Sequence, residues 1–278
     1  MARKDPRNTS RFWRAAQVPG LTCLHADFTD HDYAPHIHDA LVVAITELGG
    51  AEFRSRGATG EARAARVLVF NPAEPHSGRM AASRRWRYRA FYLSEEAIAA
   101  ATVSAGVDKP RYFTSNILDD GRLAETFLSL HMALEEGRDP FAASELFAGG
   151  FRALFSRSGD PPREGGAVGP DRRRLDRVTA EMRERLSESL TLDDLGADAG
   201  LTAFQLIALF KRHTGLTPHA YLTHLRIGAA LARVRAGEPI ARAAVAAGFY
   251  DQSAFNHHFK RTHGVTPLQY LASTGEAA

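Results

Sequence analysis

Two sets of side chains in this 278-residue chain could do chemistry. The first is a pair of cation doublets. Lys211-Arg212 and Lys260-Arg261 each sit near the end of a segment with helical patterning. Cations there favour the helix dipole. The same placement lets them reach phosphates if the helix enters a major groove of DNA. The second set is histidine: His36-x-His38 and, about one hairpin pair later, His76. Imidazole nitrogens with a carboxylate at one barrel mouth suit Fe, Mn or Zn. Without a metal they could hydrogen-bond a small polar ligand. The single cysteine, Cys23, excludes an internal disulfide framework and most thiolate metal sites. It lies in "LTCLHADF", which reads as a strand, and behaves there as a small hydrophobe.

The elements that must position these residues fall into two textures. The chain is 44% hydrophobic and 24% charged, as an ordinary globular protein is, and its length suggests about two domains. No run approaches the roughly 18 apolar residues of a membrane span. "MARKDPRNTS" has no apolar stretch behind its charges, so no secretory signal is read and a cytoplasmic location is expected. The net charge is only +3, and from Asp171 onward 14 Lys+Arg face 11 Asp+Glu. DNA binding would therefore depend on where charges sit rather than on how many there are.

Up to about Leu93 the chain shows short apolar runs with Gly/Pro punctuation: "LTCLHADF", "ALVVAITELGG", "AEFRSRG", "ARVLVFNP" and "WRYRAFYL". These predict an antiparallel β-barrel or sandwich, with "LGG" as a hairpin turn. Alternation puts Trp86, Tyr88 and Tyr92 on one face of their strand. Helical patterning follows. Ser94 is a plausible N-cap. Leu123, Phe127, Leu130 and Leu134 share a face in a helix that Gly137 can end. Phe141, Leu146, Phe147, Phe151, Leu154 and Phe155 form a second broad apolar face, for core packing or a dimer interface. The stretch from Arg157 to Arg174 is rich in Pro, Gly and charge and reads as a linker. The expected division is 1–156, a linker at 157–171, and 172–278, in an α+β chain whose C-terminal domain is all-α.

That last part contains a repeat. "FKRHTGLTPHAYL" and "FKRTHGVTPLQYL" start at Phe210 and Phe259. Thr191 with Asp194 predicts a capping box ahead of a short helix. Thr202 caps the next helix, Gly215 ends it, and Pro218 opens the long helix that follows. The second copy runs through the same steps, with Gly248 for Gly200 and one extra residue in its turn. Helix, Gly turn, helix is the layout of a helix-turn-helix, and two copies joined by a long helix could meet successive major grooves about 34 Å apart.

Residues from about 172 to 272 resemble the double helix-turn-helix domain of the AraC/XylS regulators. "AAGFYDQSAFNHHFKRTHGVTPLQY" carries the most specific match. The resemblance implies a sequence-specific regulator, activator or repressor, with double-stranded DNA, a small-molecule effector and RNA polymerase as partners and a homodimer as its form. It implies no enzymatic activity and no cofactor. The base-facing positions of the first recognition helix fall on Phe204, Ile207 and Ala208, which are apolar and can touch thymine methyls only. Those of the second fall on Gln252, Ser253 and His257, which can hydrogen-bond. Thr202, Lys211, Arg212, Lys260 and Arg261 are the expected phosphate contacts. The N-terminal half resembles the cupin domain found ahead of many such regulators, with "NPAEPH" as its second motif. His36, His38, Glu47, Asn71, His76, Trp86 and Tyr88 are then the expected effector contacts. His36, His38 and His76 would also be the metal ligands if the alternative held: a metal-dependent cupin enzyme with a helical tail. The acid that such a site needs is missing at its usual spacing, since Asp39 points to the opposite face and Glu47 lies further on.

Overall fold

The computed structural model describes residues 8–80, 82–108, 112–137, 139–157 and 169–274. Its contacts divide the chain into two compact units, one built mainly from residues 1–32 and 38–163 and the other from 33–37 and 164–272.

The strands are β1 (Thr9–Arg14), β2 (Leu21–Phe28), β3 (Asp32–His36), β4 (Leu41–Ser55), β5 (Ala58–Arg63), β6 (Val67–Phe70), β7 (His76–Arg79), β8 (Trp86–Leu93) and β9 (Ile117–Leu118). Three helices accompany them: α1 (Glu95–Ala105), α2 (Gly121–Glu136) and α3 (Pro140–Arg157). The strands run β1-β2-β8-β4-β6-β9, with β5 on β4 and β7 between β3 and β4. Strand alternation sorts the side chains into two faces. Leu21, Cys23, Val43, Ile45, Val67, Val69, Phe91 and Leu93 pack against Phe127, Leu130, Phe147, Phe151 and Leu154 of the helices. Leu24, Ala26, Phe28, Val42, Ala44, Tyr88 and Ala90 are just as buried but face the other way, into the interior that the strands enclose. Ring contacts bridge that interior. Tyr92 of β8 meets His38 at 5.1 Å, His38 meets His76 of β7 at 5.2 Å, and His76 stacks on Phe70 of β6 at 4.2 Å.

The expected hairpin at "LGG" does not form. β4 runs straight through it, pairing with β8 and β6 before it and with β5 and β7 after it. The register slips between Thr46 and Leu48, and Gly49 takes φ +70°. These features bend one strand from one sheet into the next. A Cβ at Gly49 would lie 1.7 Å from the Arg85 carbonyl oxygen, so only glycine fits the corner. The tight turn comes one element later, where Arg56 (φ 52°) and Gly57 (φ 78°) join Ser55 to Ala58. Two positive φ values in a two-residue loop match the twist of the strands. Phe141 also departs from expectation. It is 74% exposed in the first turn of α3, while Phe147, Phe151, Leu154 and Phe155 are buried. Of the expected linker, Arg157 ends α3, Pro170 begins the next helix, and 158–168 lie outside the described residues.

The second unit is helical: α4 (Pro170–Glu184), α5 (Leu192–Ala197), α6 (Ala203–Thr214), α7 (Pro218–Arg235), α8 (Ile240–Ala246), α9 (Gln252–His263) and α10 (Pro267–Ser273). The caps stand where the sequence put them. Thr191 and Asp194 form a capping box on α5, and Thr202 forms one with Gln205 on α6. The repeated phrase is a structural repeat as well. Phe210 meets Tyr221 edge-on at 5.5 Å, and Phe259 meets Tyr270 edge-on at 5.6 Å. Gly215 and Gly264 close α6 and α9 in the left-handed conformation, donating to the carbonyls of Lys211 and Lys260.

The two turn glycines differ. Gly200 (φ +64°) has open space around it, so Gly200→Ala should cost about 1 kcal/mol from backbone strain alone. Gly248 (φ +91°) is crowded: a Cβ there would lie 2.5 Å from the Leu186 carbonyl oxygen and 2.7 Å from Arg226 Nε. Arg226 cannot easily move, because it donates to the carbonyls of Leu186 (2.9 Å) and Glu188 (2.7 Å). Gly248→Ala should therefore cost about 3 kcal/mol, with overpacking added to strain. Urea unfolding midpoints of the two variants test the order.

Candidate functional site

In each helix-turn-helix the second helix buries one face and shows the other. α9 buries Phe255 and Phe259 and exposes Ser253, His257 and Arg261, four residues apart along one line. α6 buries Leu206, Leu209 and Phe210 and exposes Phe204, Ala208 and Arg212 along the equivalent line. Phe204 is 80% exposed, so its ring is not part of the core. Ile207 and Gln252 are half-buried on the flanks of these lines. The last turn of α6 carries Lys211, Arg212 and His213, and that of α9 carries Lys260, Arg261 and His263. Arg212 stands loosely by Asp171 at 3.7 Å. Lys260 is half-buried. The two terminal histidines are not equivalent. His263 stacks on Phe259 at 4.0 Å, and burial pushes its pKa down to about 4, so it is a neutral, half-buried ring. His213 is exposed.

Thr202 is placed differently from the other expected phosphate contacts. Its hydroxyl accepts the Gln205 N–H at 3.3 Å and lies 3.2 Å from Gln205 Oε1. It is the N-cap of α6, so its hydroxyl is already engaged in holding the helix start.

The N-terminal residues separate into groups. Trp86 and Tyr88 stack at 4.2 Å and face the enclosed interior, with the Trp86 indole N–H donating to Thr46 at 3.2 Å. His38 and His76 pack with Tyr92 and Phe70 through the ring contacts above. His36 is buried, with its Nδ1 2.6 Å from the Ala34 carbonyl. One ligand atom from each of His36, His38 and His76 lies within 4.8 Å of the others. Burial lowers the His76 pKa, which keeps that ring neutral. The donor set is three imidazoles with no carboxylate among them.

Glu47, the acid considered for that site, is on the opposite face. It pairs with Arg89 (2.8 Å), Arg87 (3.3 Å) and His25 (3.2 Å). Arg89 in turn holds Glu135 of α2. Alternation from Val43 and Ile45 puts Glu47 on the helix-facing side, among these cations. His131 of α2 is fully buried in the same cluster. Burial first, and the Arg89 charge second, push its pKa down to about 3.

Asn71 is engaged within the fold. Its Oδ1 accepts the Phe113 N–H at 2.9 Å, and its Nδ2 donates to the Phe113 carbonyl and to Glu74. Glu74, which sequence reasoning passed over, is the hub. It is 5% exposed and accepts from Ser55 (2.7 Å), the Asn71 backbone (3.0 Å), Asn116 (2.5 Å) and Arg56. Burial alone would raise its pKa, but these donors outweigh it and hold the carboxyl low. The available signal was an acid between two prolines, a stiff loop that leads into His76.

Comparison with known proteins agrees with both halves. Residues 18–149 match the AraC-like ligand binding domain, and residues 195–273 match a helix-turn-helix domain. The HTH-type transcriptional regulator YbfI of Bacillus subtilis is 27% identical over 222 residues, covering 78% of this chain and 79% of that protein. MtrA of Neisseria gonorrhoeae is 28% identical over 127 residues, covering 45% of this chain but only 42% of MtrA. Apo ToxT from Vibrio cholerae has the same fold, with a TM-score of 0.53 at 13% identity over 91% of this chain and 97% of ToxT. Unsaturated fatty acid-bound ToxT superposes with a TM-score of 0.52 at 11% identity over 100% and 99%. Among the described residues no helix is long and apolar enough to cross a membrane. With a ligand-binding unit ahead of two matched helix-turn-helix units, the chain belongs to the AraC-type transcription regulators.

Proposed function

We propose that residues 172–278 grip operator DNA through α6 and α9 in neighbouring major grooves, and that an effector held by residues 1–156 controls this grip across a linker at 157–171. The observation that carries it is the pair of exposed lines, Phe204–Ala208–Arg212 and Ser253–His257–Arg261, each ending in cations. The two lines read differently. Ser253 and His257, with Gln252 beside them, offer hydrogen bonds to base edges. Phe204 and Ala208, with Ile207 on the flank, offer apolar contact to thymine methyls. Lys211, Arg212, Lys260 and Arg261 serve the phosphates. The protein acts as a cytoplasmic regulator and not as an enzyme. It pairs into a homodimer through α2 and α3, where Met132 and Phe141 are exposed, and meets RNA polymerase at the promoter.

The effector binds among Trp86, Tyr88, Tyr92, His38 and His76. That lining is aromatic and its histidine rings are packed, which favours a planar or apolar molecule with few hydrogen-bonding groups over a sugar. The fatty acid in ToxT has related chemistry. Binding biases the chain between states of different DNA affinity.

Selection of a random 40-bp duplex pool by the full chain tests the DNA reading. It should enrich a motif with two parts about one helical turn apart, bound at least about 10³-fold tighter than a scrambled duplex. Replacing thymine by deoxyuridine in the part read by α6 should weaken the wild type and leave Phe204→Ala unaffected. Enrichment of no sequence would sink the regulator reading.

A further inference from the structure

The second helix-turn-helix has a longer turn than the first: Gly248-Phe249-Tyr250-Asp251 against Gly200-Leu201-Thr202. A hydrophobic residue before an N-cap usually packs onto the helix it precedes and fixes the entry of the chain. In the first unit Leu201, directly before the cap Thr202, does this and packs on the cluster that contains Leu206. In the second unit Phe249 takes that duty one residue earlier. It is 8% exposed, with its ring 5.3 Å from Phe255 and 5.9 Å from His258. The cap itself is Asp251, which accepts the Ala254 N–H at 2.7 Å. The inserted residue, Tyr250, is left with no packing role. It is 93% exposed, the highest value for any large apolar residue among those described.

Its place gives it another role. Tyr250 stands at the mouth of α9, one residue before the cap and three before Ser253, where the exposed line of α9 begins. The N-terminal residues of a recognition helix meet base edges, so the residue just outside that end meets the strand that borders the groove. We propose that Tyr250 is a DNA-backbone contact of the second unit, its phenol donating to a phosphate oxygen and its ring lying against the adjoining deoxyribose. Tyrosine is suited to this because its hydroxyl donates to phosphate without a charge. The proposal rests on the DNA-binding reading above. It adds an anchor that only the second unit has, so that α9 is held at its N-terminal end by Tyr250 and at its C-terminal end by Lys260 and Arg261.

The test compares wild type, Tyr250→Ala and Tyr250→Phe by fluorescence anisotropy, on the pool-selected duplex and on its scrambled counterpart, between 50 and 300 mM salt. With the ring exposed, all three proteins should melt together. Tyr250→Ala should weaken both duplexes by about fivefold, and Tyr250→Phe should fall between it and wild type. The salt slope should not change, because a neutral hydroxyl releases no counterion. Binding of Tyr250→Ala within twofold of wild type on both duplexes overturns the proposal while leaving the regulator reading intact. A loss confined to the selected duplex makes Tyr250 a base contact and overturns the backbone assignment, as does a reduced salt slope. Tyr250→Phe equal to wild type overturns the phosphate hydrogen bond. If the wild type binds neither duplex, the regulator reading falls and this contact falls with it.

Discussion

Changing Lys260 and Arg261 together to glutamine should weaken binding to the selected duplex by about 30- to 150-fold at 150 mM salt. Each side chain at the C-terminal end of α9 is expected to make one charge-assisted contact to a phosphate, worth about 1–1.5 kcal/mol, and the two lie far enough from the bases to act independently of sequence. The scrambled duplex should therefore lose as much as the selected one. The salt slope should fall by about 1.8, close to 0.9 for each phosphate contact. Removing these charges also removes a favourable interaction with the dipole of α9, so a modest drop in melting temperature is expected alongside. Titrations at four salt concentrations check the slope. An unchanged slope would place these cations away from DNA.

Replacing Glu74 by alanine should lower the melting temperature of the N-terminal unit by about 6–20 °C, from a loss of about 3–5 kcal/mol. The carboxylate accepts from Ser55, the Asn71 backbone, Asn116 and Arg56 at once, and alanine removes that acceptor from all four, with Arg56 losing its ion-pair partner while Ser55, Asn116 and Arg56 keep the Pro75, Val69, Thr114 and Phe113 carbonyls. The loss should depend on pH. The Glu74 carboxyl is held low in the folded chain, so it binds a proton more readily when unfolded. Its contribution is present above the ordinary carboxyl pKa of about 4.3 and fades as pH falls through the lower folded value. Wild type should thus lose stability below about pH 4 more steeply than Glu74→Ala, and the two melting curves should converge in acid. Thermal unfolding between pH 3 and 8 checks this. Parallel curves would mean that Glu74 does not carry the acid response.

The features that local chemistry dictates could all be read from the chain. Thr191, Thr202 and Ser94 cap helices because each places an oxygen within reach of a backbone N–H two or three residues on, and that geometry needs no partner from elsewhere. Gly137, Gly215 and Gly264 end helices for an equally local reason. The alternation of "WRYRAFYL" put Trp86, Tyr88 and Tyr92 on one face, and the strand is regular enough to keep them there. The repeat at Phe210 and Phe259 announced two copies of one unit, and both copies make the same Phe–Tyr contact.

What the chain did not show locally depended on residues far away in sequence. "LGG" has turn composition, yet the strand continues through it because β5 and β7 are there to pair with its far half. Glu47 carries the charge that a ligand site could use, but Arg89 and Arg87 of β8 and His25 of β2 lie beside it on the same face. Asn71 sits in a motif suited to a binding loop, and Phe113, forty-two residues on, takes its amide instead. Phe141 fits the apolar pattern of its helix but lies in the first turn of α3 and is exposed.

The sequence by itself determined that this protein carries two matched helix-turn-helix units behind a β-rich domain, because caps, turn glycines and periodicity are set within a few residues. Only the tertiary structure decided which polar groups are engaged within the fold and which are exposed. A side chain is open when nothing distant has claimed it, and Glu47, Asn71, Glu74 and Tyr250 were told apart only once their neighbours were in place.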